Sequence, residues 1–393
     1  MFRWRACRVG SLLLKLFLLC VLAFGAWYLC DFLIPPLGFS GWESDRGGFL
    51  LRTVLAVLWC AALFWAGMIL VYLFCGQLGI RWRVLGILFS WIPPVNLILL
   101  CIIITTADRE YRTERQKYRL DVSRAALRVC ATKYPILLVH GVFFRDSRLF
   151  NYWGRIPAEL ERHGARVFYG NHNSASSIED SAAQLGARIA GICAETGCGK
   201  VNVIAHSKGG LDVRYLLSDP EQRARVASLT TVNTPHRGCK FADDLFEKVP
   251  KARQERIARM YNAIAAKVGD EKPDFLAATW DLTARRVREL TDRLPVPEGV
   301  FCQSVGSVQR RATAGRFPLN LTHHFVHRFD GENDGLVGVD SCAFGERCTI
   351  LRPTGRRGIS HADVIDLNRE NIPGFDVREF YVQLVSDLKN RGL

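Results

Sequence analysis

The sequence lacks the cysteine patterns that hold metal-binding and disulfide-rich proteins together. It has 13 cysteines, but none forms a CxxC pair, and an odd number, seven, follows residue 106. This distribution argues against a zinc site and against a complete disulfide framework. Free thiols persist best in a reducing compartment, which favours a cytoplasmic location for the C-terminal part.

The sequence also lacks a nucleic-acid-binding motif, an internal repeat and any low-complexity stretch. Because no such motif accompanies it, the formal net charge of +14 is not taken to indicate a nucleic-acid partner. Two explanations of the charge stay open, which are attraction to anionic lipid headgroups and a composition rich in arginine. No feature of the sequence predicts a protein partner.

Long apolar stretches are present, and they are confined to the first third of the chain. A bilayer crossing needs about 20 apolar residues. Three stretches reach that length, at about residues 11–34, 50–74 and 84–105. A secretory signal peptide would be shorter and would not be followed by two further stretches. The predicted organisation is a membrane domain over 1–106, a basic connector over 107–130 and a globular domain over 131–393.

The sequence supports two orientations of the membrane domain. Three full crossings would place the globular domain on the side opposite to the N-terminus. Residues 107–133, however, contain eight Lys or Arg, and such runs stay on the cytoplasmic side, as does a basic N-terminal tip. Pro93 and Pro94 interrupt the third stretch, and proline bends or breaks a helix. We favour two crossings plus a re-entrant hairpin, with the globular domain facing the cytoplasm.

Short apolar runs alternate with amphipathic segments in the globular part. Strands are predicted at 135–139, 165–169, 201–204 and 228–232, with a further strand near residue 301. A helix is predicted between the second and third of these strands, over 178–195. Strands that alternate with helices form a mostly parallel sheet covered on both faces, so the fold class is α/β.

The segment that follows the third strand contains the most informative motif. Ser207 stands between His206 and Lys208, and the residues two positions away are Ala205 and Gly209. A sharp strand-to-helix turn strains the central residue and needs small neighbours on both sides, which is the nucleophile-elbow pattern. The sequence therefore predicts that Ser207 is a nucleophile.

A serine nucleophile needs a base and an acid that orients the base. In elbow-type hydrolases these follow the serine in the order acid, then histidine. The tight polar loop around Asp334 is followed by one histidine, His361, so these residues are the predicted acid and base. Asp330 and Asp340 stay open as alternative acids.

The anionic intermediate of acyl transfer needs two hydrogen-bond donors. One predicted donor is the backbone N–H of Lys208, directly after the serine, where the helix N-terminus adds positive potential. The other is the backbone N–H of Val142, because His140 and Gly141 end the first strand and glycine lets the chain turn closely.

Five segments resemble those of bacterial true lipases of the α/β-hydrolase superfamily. They are PILLVHGV, VNVIAHSKGG, TVNTPHRG, NDGLVG and SHAD, in the family's order within residues 133–370. The resemblance implies an α/β-hydrolase fold, with Ser207, Asp334 and His361 as the triad. It also implies that Val142 and Lys208 form the oxyanion hole.

The resemblance raises the question of a structural metal. Some of these lipases bind calcium near the catalytic histidine, and one ligand would be Asp363, whereas the usual glutamine is Leu367 here. We therefore predict no cofactor, with calcium as the alternative. His323, His324 and His327 could suggest zinc, but they lack an acidic partner at a known spacing.

Residues 240–295 interrupt the strand pattern with amphipathic helices at 251–268 and 279–290, and they are interpreted as a cap over the site. The leading predicted function is hydrolysis of carboxylic esters of acyl lipids at a membrane surface. Acyl transfer, thioester or amide cleavage, and a catalytically dead membrane scaffold stay open, because a fold does not fix a function.

Overall fold

The computed structural model describes residues 2–33, 46–142, 151–292 and 294–393. The chain forms two compact units, Met1–Arg124 and Ala125–Leu393. The first unit extends beyond the predicted membrane domain because its last helix continues to Arg124. Most of the segment predicted as a basic connector is therefore the end of that helix.

The N-terminal unit is helical. Its helices are α1 (Phe2–Leu33), α2 (Arg46–Phe74), α3 (Gly79–Leu88) and α4 (Val95–Arg124). By length and composition, α1 and α2 are each apolar enough to cross a membrane. The loop predicted between the first two apolar stretches falls largely at 34–45, outside the described residues.

The helices α1 and α2 run antiparallel to each other. Near the start of α1, Leu14 packs against the end of α2, where a Cβ added to Gly67 would lie 2.8 Å from Leu14 Cγ. At the opposite ends, the Tyr28 hydroxyl donates to Thr53 Oγ1 over 2.7 Å. A residue without a side chain lets two apolar helices approach this closely.

The third apolar stretch is not one helix. It is divided between α3 and α4, which are separated by a turn at residues 89–94. The ten residues of α3 span about 15 Å, which is half of a bilayer core. Beyond the apolar part of α4, Glu110 accepts the N–H groups of Gly76 (3.1 Å) and Gln77 (2.9 Å), which directly follow α2. After α3 and the apolar part of α4, the chain therefore lies again beside the end of α2.

The charged residue inside the first apolar stretch, Lys15, has a partner. It pairs with the buried Asp108 of α4, which also accepts hydrogen bonds from Arg8 Nη1 (3.2 Å) and Ser11 Oγ (2.7 Å). The three partners lie on one face of α1 because they are three or four residues apart. Pairing is the usual condition for a charge within an apolar helix.

The C-terminal unit is built on a six-stranded sheet. The strands are β1 (Ile136–Val139), β2 (Val167–Tyr169), β3 (Val201–His206), β4 (Val226–Val232), β5 (Phe301–Ser307) and β6 (Arg347–Leu351). Their order is β2-β1-β3-β4-β5-β6 and every pairing is parallel. The predicted α/β class is confirmed, and the predicted strands lie within one or two residues of the observed ones.

Helices surround this sheet. They are α5 (Ile156–Arg162), α6 (Ile178–Thr196), α7 (Lys208–Leu216), α8 (Pro220–Ala224), α9 (Lys240–Lys248), α10 (Lys251–Lys267), α11 (Phe275–Trp280), α12 (Ala284–Thr291), α13 (Leu319–Asp330) and α14 (Val377–Asn390). The bounds of α6 match the prediction because Ser177 caps its first turn and Gly197, at a φ of 67°, ends it.

The sheet is buried on both faces. Along β1, Ile136 and Leu138 belong to one apolar cluster and Leu137 and Val139 to another, because successive side chains of a strand point to opposite faces. All four are completely buried, which explains why the run reads as continuously apolar. The helices α6 and α14 contribute to different clusters, so each covers one face.

The start of α7 lies against the end of β1 with no room for a side chain. A Cβ added to Gly209 would lie 2.3 Å from the carbonyl oxygen of His140. Because that oxygen belongs to the backbone, it cannot rotate away as a flexible side chain would. The contact therefore fixes the distance between the two chain segments.

Replacement of Gly209 by alanine should lower the free energy of unfolding by about 3 kcal/mol, since two backbone segments must move apart. Gly191→Ala is the matched control, because Gly191 lies exposed in α6 with no atom near its added Cβ. That change should raise the stability by up to about 1 kcal/mol. Thermal unfolding of the full chain in detergent measures both, and equal melting temperatures for the two variants would contradict the close packing.

Candidate active site

Ser207 lies in the sharp turn between β3 and α7. Its backbone has a φ of 55° and a ψ of −131°, a conformation that a residue with a side chain seldom adopts. A Cβ added to Gly141 would lie 2.7 Å from the Cβ of Ser207. Ala205 is completely buried on the other side of the turn. Larger side chains at Gly141 and Gly209 would therefore collide with neighbouring atoms of this turn.

Asp334 and His361, which are 27 positions apart, form a direct pair. The distance between Asp334 Oδ2 and His361 Nδ1 is 2.6 Å, and the aspartate is completely buried. The other carboxylate oxygen accepts the N–H groups of Leu336 and Val337, both at 2.8 Å. Both oxygens are satisfied, so the carboxylate has one orientation and presents one oxygen to the imidazole.

The backbone holds the two loops of this pair together. The N–H of His361 donates to the carbonyl oxygen of Asp334 over 2.8 Å. Within the aspartate loop, the Asn333 side chain accepts the N–H of Gly335 (2.9 Å) and donates to the carbonyl of Gly331 (2.8 Å). The position of the acid thus depends on the asparagine before it.

The alternative acids do not contact His361 in the described part of the chain. Asp330 ends α13, and its carboxylate faces Lys240 Nζ at 3.9 Å. Asp340 is exposed on a short 3₁₀ turn. The geometry therefore favours Asp334 as the partner of the histidine, while the catalytic roles stay predictions.

His361 lies beside the elbow. Its ring centroid is 4.4 Å from that of His206, the residue before Ser207. Burial lowers the pKa of His206 well below its usual value, and the nearby His361 lowers it further. His206 is therefore neutral and does not repel a proton that arrives on its neighbour.

Tyr152, which is not among the site residues predicted from the sequence, connects the parts of the site. Its hydroxyl oxygen is 2.6 Å from Nδ1 of His206 and accepts the N–H of Gly141 over 3.1 Å. One phenol thus fixes both the histidine before the nucleophile and the turn after β1. No local motif marks this tyrosine, because its partners are 11 and 54 positions away.

The predicted oxyanion donors follow the two strand ends. Val142 is buried directly after Gly141, and Lys208 is the first residue of α7, where backbone N–H groups have no partner within the helix. The Lys208 side chain is buried and donates to Asp212 Oδ1 over 2.6 Å and to Ser181 Oγ over 3.3 Å. It therefore serves the packing of α7, and the donor role of its N–H stays a prediction.

His140 has structural contacts. Its Nδ1 lies 2.9 Å from the carbonyl oxygen of Gly141, and its Nε2 lies 3.1 Å from that of His172. The rings of His140 and His172 stack at 3.9 Å with an angle of 7°. These contacts fix the turn that carries Gly141 and Val142.

The predicted cap is helical, and its details differ from the prediction. It contains an additional helix, α9, and the segment predicted as one helix over 279–290 is divided into α11 and α12. The break occurs because Thr283 caps the first turn of α12 through Arg286 N–H. Asp281, in the break, accepts the N–H of Ile178 over 2.6 Å and so joins the predicted cap to the start of α6.

The residues around Asp363 do not fit a calcium site. One oxygen of Asp363 accepts Arg357 Nη2 over 3.1 Å, and the other accepts the N–H of Ser360 over 3.0 Å. Leu367, at the usual position of a glutamine ligand, packs against the apolar core. The carboxylate of Asp363 is therefore already paired with a guanidinium, and an apolar side chain stands where calcium would need an oxygen ligand.

The histidine cluster on α13 also has a packing role. The rings of His323 and His324 are nearly parallel, with centroids 5.7 Å apart, and Nδ1 of His323 lies 3.2 Å from Asn333 Oδ1. His323 thereby supports the asparagine of the Asp334 loop. This contact gives the cluster a function that needs no zinc.

Comparison with known proteins decides the family. A family model for the α/β-hydrolase fold matches residues 134–325. The chain is 33% identical over 278 residues to a triacylglycerol lipase of Burkholderia plantarii, which covers 56% of this chain and 77% of that protein. The chain belongs to the α/β-hydrolase lipase family. It is accordingly a carboxylic ester hydrolase.

Further relatives agree with this assignment. A triacylglycerol lipase of Vibrio cholerae serotype O1 is 40% identical over 288 residues, covering 67% of this chain and 89% of that protein. Among solved structures, the Staphylococcus hyicus lipase matches 66% of this chain and 98% of its own length, with a TM-score of 0.50. At 16% identity, this last likeness concerns the fold alone.

Replacement of Asp334 by asparagine should lower kcat for a soluble ester by roughly 10⁴-fold, as the loss of a triad acid does. Asparagine keeps the shape but removes the charge that faces His361. Asp340→Asn is the matched control and should change kcat by less than about twofold, because its side chain is exposed. A large loss in the control with little loss in Asp334→Asn would assign the acid to Asp340.

Proposed function

We propose that this hydrolase cleaves carboxylic esters of acyl lipids, with Ser207, His361 and Asp334 as its catalytic triad. The observation that carries the proposal is the buried 2.6 Å contact between Asp334 and His361, beside a serine held at a positive φ. A serine hydroxyl is a weak nucleophile at neutral pH unless an oriented base removes its proton. The pair supplies that base.

The proposed reaction has two halves. His361 removes the proton of Ser207 Oγ as the oxygen attacks the ester carbonyl carbon, and the same histidine then protonates the departing alcohol. In the second half, His361 takes a proton from water, the hydroxide attacks the acyl-enzyme, and Ser207 regains its proton as the fatty acid leaves. Asp334 holds the imidazole in the required tautomer and stabilises the imidazolium.

The backbone N–H groups of Val142 and Lys208 are proposed to bind the oxyanion. Both follow the carboxyl ends of adjacent strands, β1 and β3, and this end of a parallel sheet is where ligands bind. Contact of Gly141 with Ser207 brings the first of these segments beside the nucleophile. Fixed donors of this kind are worth roughly 3 kcal/mol each in the transition state.

An apolar acyl chain is the proposed specificity. The related proteins from Burkholderia plantarii and Vibrio cholerae are named triacylglycerol lipases. In the predicted cap, α10 exposes Ile257, Met260 and Ile264, which are three or four residues apart and so share one face, and the exposed Val268 directly follows the helix. An apolar face of this kind suits a lipid surface better than water.

We also propose that the N-terminal unit is integral to a membrane, with two crossings and a re-entrant hairpin. The antiparallel α1 and α2 supply the crossings, and α3 with the first half of α4 supplies the hairpin. In support, the Sγ atoms of Cys7 and Cys75 and a carboxylate oxygen of Glu110 lie within 4.8 Å of one another. The start of α1, the end of α2 and the exit from the hairpin thus share one level.

An even number of crossings leaves the chain after Arg124 on the side of the N-terminus. Basic residues occupy both ends of this unit, Arg3, Arg5 and Arg8 at the start and the basic run in the second half of α4 at the end. Because such residues stay on the cytoplasmic side, the proposed location of the hydrolase unit is the cytoplasm.

The Ser207→Ala variant should lose ester hydrolysis and labelling by a fluorophosphonate, since both need the Oγ nucleophile. Ser218→Ala, an exposed serine after α7, is the matched control and should behave as wild type. Esters of graded chain length then test the substrate class, and longer acyl chains should give the higher kcat/KM. Wild-type activity in Ser207→Ala would refute the nucleophile, and a strict preference for acetyl esters would refute the acyl-lipid specificity.

A reporter fused after Leu393 tests the proposed orientation. A reporter that is active only in the cytoplasm should give strong signal, and one that is active only outside should give little. A fusion truncated after residue 42, which follows one crossing, is the matched control and should give the opposite pattern. Strong signal from the outside-only reporter after Leu393 would mean that the third apolar stretch crosses fully.

A further inference from the structure

The base of the triad lies at the start of a segment without regular secondary structure. After His361 the chain forms successive turns until α14 begins at Val377. Its backbone hydrogen bonds are short-range, such as that from the N–H of Asp363 to the carbonyl oxygen of Ser360 over 3.0 Å, and the side chains of these two residues accept each other's N–H groups over 3.0 and 3.3 Å. A turn segment holds a side chain in place only if longer-range contacts fix it.

Arg357 supplies one such contact. Its Nη2 donates to Asp363 Oδ1 over 3.1 Å and to Glu370 Oε2 over 2.7 Å, and its Nε donates to the carbonyl oxygen of Ala314 over 3.3 Å. The guanidinium thus cross-links two points of the segment, two and nine residues after His361. It also joins them to the chain that precedes α13.

The charges in this arrangement need each other. Asp363 is almost completely buried, and burial raises the pKa of its carboxyl while Arg357 opposes the shift. Glu370 shares Arg357 with Asp363 and pairs in addition with Arg316. An unpaired buried carboxylate is costly, so removal of Arg357 would expel Asp363 or protonate it.

A second guanidinium fixes the middle of the same segment. Arg155 binds both carboxylate oxygens of the buried Asp366 at 2.8 Å each and donates to Asn371 Oδ1 over 2.9 Å. Bidentate pairs of this kind are the strongest and most directional salt bridges. Arg155 therefore fixes Asp366, and Arg357 fixes Asp363, which lies between Asp366 and His361 in the chain.

We propose that Arg357 is a positioning residue for His361 and holds its segment in the way a calcium ion holds it in lipases that bind one there. The cation is part of the chain, and three oxygens, from Asp363, Glu370 and Ala314, converge on it as they would on a metal. The inference rests on the proposed catalytic role of His361. It predicts an enzyme that needs no calcium.

The test measures kcat and KM for a soluble short-chain ester with the full chain in detergent. Arg357→Met should lower kcat at least tenfold and change KM less than about twofold, because a residue that positions the base affects the chemical step rather than substrate binding. Arg357→Lys keeps the charge without the planar fork and should recover part of kcat. The adjacent Arg356, which is exposed, provides the matched control, and Arg356→Met should keep wild-type kcat.

If Arg357→Met folds poorly, the coupling between two milder substitutions provides a second measurement. Glu370→Gln should also lower kcat, and combining it with Arg357→Lys should cost less than the two single losses together, since both break one contact. Strict additivity would overturn the proposed cross-link. Wild-type activity should be unchanged by EDTA, whereas loss in EDTA with recovery on adding calcium would overturn the replacement of the ion.

The two proposals fail in different ways. If Ser207→Ala keeps its activity, the proposed nucleophile is wrong whatever Arg357 does. If Ser207→Ala is inactive but Arg357→Met folds and keeps full kcat, the positioning role of Arg357 alone is wrong.

Discussion

The close approach of the β1 turn to the start of α7 is the constraint on which the rest of the site depends. Gly209 lies against the carbonyl of His140, and Gly141 lies against Ser207, so a side chain at either glycine would separate the two strand ends. While the two strand ends stay together, the serine is held at a positive φ at the carboxyl end of β3. The N–H groups that follow β1 and β3 then belong to one small region.

The second half of the site comes from chain that has no regular structure. Asp334 and His361 lie in loops. The N–H groups of Leu336 and Val337 donate to the carboxylate of the acid, and the Asn333 side chain accepts an N–H of the same loop. The segment that follows His361 forms ion pairs with Arg155 and with Arg357. Rigidity in this region is therefore electrostatic, whereas around the nucleophile it is steric. Both kinds of rigidity keep the base and the nucleophile in position, which matters because a base that is displaced by about 1 Å loses much of its effect.

In both units of the chain, charged side chains in apolar surroundings are paired with an opposite charge. In the N-terminal unit, Asp108 collects Arg8, Ser11 and Lys15 on one face of α1, so the apolar helix can carry a lysine. In the hydrolase unit, Lys208 is buried beside the nucleophile only because Asp212 lies 2.6 Å away. Each pair removes the cost of an isolated charge in an apolar environment. The Asp108 cluster also fixes α1 against α4, whereas the Lys208–Asp212 pair lies within α7 and the hydrogen bond of Lys208 to Ser181 joins that helix to α6.

The order of strands and helices and the elbow motif could be read from the sequence because each depends on neighbours within a few residues, and the acid-before-histidine order because it depends only on position along the chain. β1 is apolar throughout since both of its faces are buried, and α6 has its caps in place. The chain order of Ser207, Asp334 and His361 left one choice of base and three of acid. These features are local or ordinal, and a sequence records both directly.

Tertiary structure alone decided which aspartate faces His361, how Tyr152 joins two strand ends, and which cation meets Asp363. Their partners lie from 6 to 54 positions apart in the chain, and no periodicity relates such positions. The break in the third apolar stretch could be read from Pro93 and Pro94, whereas the contact of Glu110 with the backbone of Gly76 and Gln77 could not. A long-range contact depends on how whole elements pack, and packing is a property of the folded chain.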